Sequence, residues 1–306
     1  MIQQITIIGT GLIGGSFGLA VRKHGFHGRI VGCDREPVLE TARRLGAIDR
    51  AVIDPVEACR GSQVVLLATP VGGIIDLIER LGPVLPPDVL LTDVGSTKAE
   101  IVARARQVFG AAAAERFLAG HPMAGKERSG IEQADADLFR DAPWFLVPSP
   151  GQNLLAAPMN HFVVLLETIG ARILPLEAEV HDRLCAWVSH LPQMVAIALA
   201  ATLLDEFGVE TRHAASPPGD PTLADIHAVS GRQLREMTRT AASPYSMWRD
   251  VALTNTENLE HALQRLEQRL AHIRENLRTP ELRAEFEKAN SFGTKNPPQR
   301  HRGTEN

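Results

Sequence analysis

The first half of the chain alternates short, continuously apolar runs with amphipathic stretches. Apolar runs without alternation are typical of strands buried on both faces of a parallel sheet. The stretches between them have helical spacing, and a β-α-β-α order predicts right-handed crossovers in a doubly wound, mostly parallel sheet. Strands are predicted at residues 5–8, 29–33, 63–68 and 89–93, with weaker candidates at 117–119, 143–147 and 172–176. Helices are predicted at residues 14–24, 37–45, 72–81, 99–109 and 160–170.

From about Glu177 onward, helical periodicity replaces the strand signals. Residues 181–207 are apolar nearly all round, which predicts a buried helix at the centre of a bundle. Between positions 259 and 277, leucine and isoleucine recur at steps of four and three, which is typical of an amphipathic core helix or of a contact between subunits. We therefore predict an α/β domain over 1–177, an all-helical domain over 178–289 and a disordered polar tail over 290–306.

Composition excludes several classes of protein. The 306 residues carry a net charge of −4 and only 14 aromatic side chains, which argues against nucleic-acid binding. No run of 18 apolar residues is present, so no membrane span or membrane partner is expected. Cys33, Cys59 and Cys185 form neither a disulfide framework nor a zinc pattern, which is typical of a reducing cytoplasm.

A glycine-rich turn follows the first predicted strand and opens a helix. Gly9, Gly11 and Gly14 are spaced as in a dinucleotide-binding turn, with Leu12 and Ile13 between them. The helix N-terminus would offer N–H groups to a pyrophosphate. Asp34 lies 20 residues after Gly14, where an acidic side chain bonds ribose hydroxyls and repels a 2′-phosphate. The sequence thus predicts NAD in preference to NADP, with the adjacent Arg35 as the one feature pointing the other way.

Three further turns are expected at the same edge of the sheet. The third strand ends in Ala68-Thr69-Pro70, the fourth in Asp93-Val94-Gly95-Ser96-Thr97-Lys98, and the next in Gly120-His121-Pro122-Met123-Ala124-Gly125. Ligands bind at this edge in such folds. In a polar turn, His121 is expected to be a functional residue rather than a packed core one. An imidazole can accept the proton of an alcohol as hydride departs, while the Ser96 hydroxyl orients the oxygen and contributes to the cofactor site.

Together with these turns, Ser189-His190-Leu191-Pro192, Met237-Thr238-Arg239 and Met247-Trp248-Arg249-Asp250 resemble the prephenate/arogenate dehydrogenase family of tyrosine biosynthesis. The resemblance covers roughly residues 3–288. It implies a Rossmann domain, an all-helical dimerisation domain and a homodimer. The implied reaction is NAD-dependent oxidative decarboxylation of a cyclohexadienol to a phenol.

The resemblance also implies roles for individual residues. His121 matches the catalytic histidine, Ser96 its serine partner, and Arg239 an arginine that pairs with a substrate carboxylate and is expected to be buried. Glu127 matches an acidic residue near the mouth of the active site, although a plain solvated glutamate fits as well. Ser189 and His190 are substrate-binding candidates, with a satisfied core histidine the alternative for His190.

The sequence departs from the family near the expected substrate side chain. Gln193 replaces a histidine found in many members that use prephenate, and Gln233-Leu234 replaces a common Gly-Phe. Gln193 is neutral and has a carbonyl oxygen that can accept an ammonium proton, so we expect arogenate to be accepted. Two other functions stay open: a 3-hydroxyacid dehydrogenase or imine reductase with a similar domain pair, and a dinucleotide-sensing protein without activity.

Overall fold

An eight-stranded sheet organises the first half of the chain. The computed structural model describes residues 2–126, 128–208 and 221–295. The strand order is β3-β2-β1-β4-β5-β6-β7-β8, and every neighbouring pair is parallel except the antiparallel β6 and β7. The first six strands have the order of a dinucleotide-binding sheet. The strands are β1 Gln4–Ile8, β2 Arg29–Cys33, β3 Arg50–Val52, β4 Val64–Leu67, β5 Leu90–Asp93, β6 Phe117–Pro122, β7 Pro143–Val147 and β8 Arg172–Pro175.

Successive strand residues pack into two cores on opposite faces of the sheet. Ile7 and Leu66 belong to one apolar cluster, whereas Ile8 and Leu67 belong to the other. All four are 4% exposed or less, because helices cover both faces. This double burial is the reason why the strands are continuously apolar in sequence.

Seven helices connect the strands of the described sheet. They are α1 Leu12–Lys23, α2 Glu36–Arg44, α3 Pro55–Ala58, α4 Val71–Leu81, α5 Ala99–Phe109, α6 Ala113–Arg116 and α7 Met159–Thr168. The short elements β3, α3 and α6 were not predicted. The predicted strand over 117–119 extends instead to Pro122, because antiparallel pairing with β7 aligns His121 with Phe145. His121 therefore lies on a strand and is only 8% exposed, so its predicted location in a polar turn is wrong.

Only helices follow β8 in the described residues, which confirms the predicted fold class. They are α8 Ala178–Cys185, α9 Leu191–Phe207, α10 Leu223–Val229, α11 Arg232–Thr238, α12 Tyr245–Thr254, α13 Thr256–Glu275 and α14 Glu281–Lys295. Residues 290–295 are helical, so the predicted disordered tail is wrong at its start, and residues 296–306 lie outside the described part. The domain boundaries at 177 and 289 stay predictions. By internal contacts the chain divides into one compact unit up to Leu259 and another from Glu260.

The predicted helix over 181–207 consists of α8 and α9 joined by a π-helical turn, Ala186–His190. By length and composition, Ala178–Phe207 could cross a membrane, and 28% of its most apolar 18-residue window is buried. The expected full burial is therefore wrong for the isolated chain, in which Trp187 is 43% exposed and Val188 is 60% exposed.

Candidate active site

The glycine turn between β1 and α1 has the backbone geometry that a dinucleotide requires. Gly9 has φ +93°, and a Cβ there would lie 2.4 Å from the Ala68 carbonyl oxygen. A Cβ on Gly14 would lie 2.0 Å from the Gly9 carbonyl oxygen, so both positions exclude side chains. A Cβ on Gly11 would meet nothing within 4 Å, which leaves space for a phosphate. Helix α1 begins after Gly11 without a side-chain cap, so its first N–H groups are available to an anion.

Asp34 follows the last residue of β2 and lies beside this turn. Its Oδ2 accepts a 2.8 Å hydrogen bond from the Thr10 N–H, and its Oδ1 accepts a 2.7 Å bond from the Arg35 N–H. Asp34 is half-buried and Arg35 is exposed at the start of α2. The carboxylate is thus fixed beside the glycine turn, where an acidic side chain can bond ribose hydroxyls.

The other predicted cofactor residues lie around the same turn. Leu12 and Ile13 are half-buried in the first turn of α1. Ala68, Thr69 and Pro70 connect β4 to α4, and the Ala68 N–H donates to the Ile8 carbonyl. Open space at Gly11, the uncapped helix and the fixed acid together fit NAD.

A buried ion pair joins the end of β5 to the middle of β6. Lys98 is 0% exposed, contacts the Asp93 carboxylate and donates a 2.8 Å hydrogen bond to the Gly120 carbonyl. Asp93 in turn accepts N–H bonds from Gly95 at 2.8 Å and from Gly120 at 3.1 Å. Ser96 lies half-buried within the loop that this pair fixes. The backbone on both sides of Ser96 and just before His121 is therefore rigidly held.

A chain of hydrogen bonds runs from His121 into the helical half. The Nδ1 of His121 lies 2.9 Å from Nε2 of His181, and Nδ1 of His181 lies 2.8 Å from Oδ1 of Asp182. The Asp182 carboxylate also accepts N–H bonds from Lys98 at 2.7 Å and Ala99 at 2.9 Å, so it caps α5. Neither His181 nor Asp182 was among the predicted site residues.

The Asp182 carboxylate determines which atom donates in each of these hydrogen bonds. A carboxylate that receives two N–H groups acts as an acceptor, so His181 donates its Nδ1–H to Asp182. A neutral His181 then has a lone pair on Nε2 and accepts the Nδ1–H of His121. His121 is left with a lone pair on Nε2, which is the form of imidazole that can remove a proton.

Burial keeps both imidazoles neutral. Desolvation holds the pKa of His121 well below its usual range, and the neighbouring His181 and Lys98 lower it further. Desolvation also lowers the pKa of His181, against the opposing effect of its hydrogen bond to Asp182. A neutral base at neutral pH is the electrostatic condition for proton abstraction.

Further polar groups from the helical half lie beside this chain of hydrogen bonds. Asn255 donates through Nδ2 to the Asp182 carbonyl at 2.8 Å and lies 3.1 Å from Nδ1 of His190. His190 is 0% exposed, and burial lowers its pKa to about 4. Its ring packs edge-on against Trp248 at 5.9 Å. Ser189 is half-buried in the same π-helical turn.

Gln193 anchors the turn that carries Arg239. Its Nε2 donates a 2.8 Å hydrogen bond to the Thr240 carbonyl, and the residue is 4% exposed. Arg239 begins the 3-10 turn Arg239–Ala242 after α11 and is exposed, so its expected burial is wrong for the isolated chain: a short turn at a helix end lies at the surface. Glu127 lies outside the described residues.

The sheet, the glycine turn and the buried base define an NAD-dependent oxidoreductase. Family models of the prephenate dehydrogenase nucleotide-binding domain and dimerization domain match residues 17–175 and 177–288. The chain belongs to the prephenate dehydrogenase family. This confirms the family and the cofactor that the sequence predicts.

Individual relatives agree with this assignment. The chain is 33% identical to the prephenate dehydrogenase of Lactococcus lactis subsp. cremoris, over 89% of this chain and 70% of that protein. It is 30% identical to the cyclohexadienyl dehydrogenase of Zymomonas mobilis subsp. mobilis, over 84% and 82%. The crystal structure of prephenate dehydrogenase from A. aeolicus with hydroxyphenyl propionate and NAD+ superposes with a TM-score of 0.79 at 30% identity, covering 96% of each chain.

Proposed function

We propose that the protein catalyses the NAD-dependent oxidative decarboxylation of prephenate, arogenate or both in tyrosine biosynthesis. The products would be 4-hydroxyphenylpyruvate from prephenate and tyrosine from arogenate. The observation that carries this proposal is the bond chain from Asp182 through His181, which leaves Nε2 of His121 as a buried base. The names of the related enzymes indicate the substrates. Oxidation of their ring hydroxyl requires a base that accepts its proton, and His121 supplies that base.

Each residue has a defined task in this reaction. NAD supplies the hydride acceptor when it is bound. His121 removes the ring hydroxyl proton at Nε2, so that the carbonyl forms while the carbon–hydrogen bond breaks. Loss of the ring carboxylate as carbon dioxide then makes the ring aromatic, and His121 can return its proton to the phenolate oxygen. Ser96, on the loop fixed by Asp93 and Lys98, orients the substrate oxygen.

His181 and Asp182 are positioning residues for His121. Their two hydrogen bonds fix the ring orientation of His121 and place its proton on Nδ1. As the base becomes protonated, the neutral acceptor on His181 and the Asp182 carboxylate behind it stabilise the positive charge. Asp182 thus has the role of the carboxylate in a catalytic triad, except that His181 lies between it and the base.

The exposed Arg239 guanidinium is suited to bind a substrate carboxylate through two parallel hydrogen bonds. Gln193 supports the adjacent turn through Thr240, which uses one N–H of its amide group. The amide oxygen is an acceptor, so it can receive a proton from an ammonium group. This supports the expectation that arogenate is accepted.

A paired assay tests the reaction and the substrate together. Prephenate and arogenate are each supplied with NAD, and carbon dioxide and NADH are measured in the same reaction. Equimolar release from either compound supports the proposal, whereas NADH without carbon dioxide would indicate a hydroxyacid dehydrogenase. NAD binding without turnover on either would indicate a sensing protein. Gln193→His should shift the ratio of catalytic efficiencies toward prephenate, and an unchanged ratio would exclude Gln193 as its determinant.

We further propose that the protein is a cytoplasmic homodimer formed through its helical half. The dimerization-domain match and the exposed apolar residues along Ala178–Phe207 support this state, because a second chain can cover that surface. The three cysteines are buried and unpaired, in keeping with a reducing compartment.

A further inference from the structure

Three atoms that can bind a metal converge beside the proposed base. They are Nδ1 of His121, Nε2 of His181 and Sγ of Cys185, and they lie within 4.8 Å of one another. The histidine nitrogens are 2.9 Å apart, and the sulfur lies 3.4 Å from His181 and 3.9 Å from His121. His181 and Cys185 lie four residues apart on α8, so the helix presents both on one face.

These separations are close to those of a tetrahedral zinc site. Bond lengths of about 2.0–2.1 Å to nitrogen and 2.3 Å to sulfur place two nitrogens about 3.3 Å apart, and nitrogen and sulfur about 3.6 Å apart. Each observed distance differs from these values by about half an ångström or less, which a rotation of the Cys185 side chain and a slight separation of the rings can supply. Few backbone changes are therefore needed to bind an ion.

The surroundings also orient the ligands correctly. His181 donates its Nδ1–H to Asp182 at 2.8 Å, which turns the lone pair of Nε2 toward the centre of the cluster. A carboxylate behind a ligating histidine is a recurrent feature of zinc sites. His181 and Cys185 are 0% exposed whereas His121 is 8% exposed, so an ion would enter past His121.

We propose that His121, His181 and Cys185 form an inhibitory site for a thiophilic divalent cation such as Zn²⁺. The ion takes Nδ1 of His121, so the ring proton must move to Nε2 by exchange with water. His121 then cannot accept a substrate proton. Two imidazoles and one thiolate leave the fourth tetrahedral position to water.

Metal binding must also release a proton from Cys185. Burial raises the pKa of this thiol to about 12, so the metal-free enzyme holds it protonated. The ion displaces that proton, and binding therefore strengthens as pH rises. Of the three ligands, Cys185 is the one without a proposed part in catalysis, so it can be replaced without removing the base.

Titration of the full-length enzyme with Co²⁺ and Zn²⁺ tests the site. Co²⁺ bound to a thiolate gives a near-ultraviolet charge-transfer band, which reports the site without reference to turnover. We expect this band in the wild type, loss of the band in Cys185→Ser, and a zinc concentration for half-inhibition at least about tenfold higher in that variant. Cys59→Ser, which removes another buried thiol, should retain both the band and the sensitivity.

Two results would overturn the proposed metal site: the absence of a cobalt–thiolate band in the wild type, and equal zinc sensitivity in the wild type and Cys185→Ser. A third result would overturn only its inhibitory effect. A Cys185-dependent band with undiminished turnover would overturn the inhibition and would also count against His121 as the base. The band depends only on the metal site, so its absence leaves the proposed reaction standing.

Discussion

His181 presents Nε2 to His121 across 2.9 Å and presents Nδ1 to Asp182 across 2.8 Å. One imidazole thus links the strand that carries the base to the carboxylate that caps α5. His121 lies on β6 and both His181 and Asp182 lie on α8, so catalytic geometry depends on how α8 packs against the sheet.

Replacing His181 should separate its positioning role from simple packing. His181→Leu removes the acceptor for His121, and the loss of about 1–3 kcal/mol should lower kcat roughly 5- to 150-fold. His181→Gln offers an amide oxygen near the position of Nε2 and should recover most of that loss, while NAD affinity stays unchanged in both. Steady-state kinetics with NAD titrations test this role. A wild-type kcat in His181→Leu, or a kcat in His181→Gln no higher than in His181→Leu, would contradict it.

Asp34 should set the preference for NAD. Asp34→Ser removes a charge-assisted bond to the ribose and the repulsion of a 2′-phosphate, so the NAD-to-NADP efficiency ratio should fall by about tenfold or more. Glu36→Gln, a loss of the same charge two residues further on, is the matched control and should leave the ratio unchanged. A wild-type enzyme that is more efficient with NADP would refute the assignment.

Acid should destabilise the fold through its buried neutral histidines. The pKa of His190 is about 4 in the folded chain, below the ordinary value of 6.5. As the pH falls, His190 therefore binds a proton in the unfolded state before it does so in the folded state. Its titration costs no free energy of unfolding above pH 6.5 and lowers that free energy as the pH drops toward 4. His190 alone would contribute a loss of up to about 3 kcal/mol.

Urea unfolding measured between pH 7 and pH 4 checks this slope. His190→Gln should lose less free energy of unfolding over this range than the wild type. The free energy of unfolding of this variant should still rise with pH, because burial also lowers the pKa values of His121 and His181. The exposed His27→Gln is the control and should follow the wild type. Identical slopes for His190→Gln and wild type would contradict the assignment.

The exposed apolar side of Ala178–Phe207 should hold the dimer together. Val188 is 60% exposed and Leu204 is 53% exposed, so Val188→Asp with Leu204→Asp should yield monomers. Leu155→Asp, at a position that is 88% exposed in the other half, should remain dimeric. Light scattering is expected to give about twice 33.3 kDa for the wild type, and a monomer at micromolar concentration would refute the proposal.

Most strands of the sheet could be predicted from the sequence, because continuous apolar runs indicate burial on both faces. It missed β3, whose Arg50 and Ala51 are exposed and whose three residues leave no pattern. The strand that carries His121 was predicted too short, because its last residues are strand only through pairing with β7. Local sequence does not contain that partner.

Only part of the site could be predicted, because local sequence does not contain its long-range partners either. The glycine turn and Asp34 are encoded within one βαβ unit, so spacing alone locates them. His181 and Asp182 gain their roles from contacts with residues 60 and 84 positions away. The adjacent His-Asp pair at the start of an otherwise apolar stretch was the signal that could have revealed them, since buried polar residues need partners.

The most direct test of the central claim is the kcat of His121→Asn on the preferred cyclohexadienyl substrate. The expected result is a fall of roughly 100- to 10,000-fold, the usual contribution of general acid–base catalysis, with NAD affinity near that of the wild type. His27→Asn, at an exposed position, should behave as wild type. A His121→Asn enzyme that turns over normally would show that Nε2 of His121 is not the base.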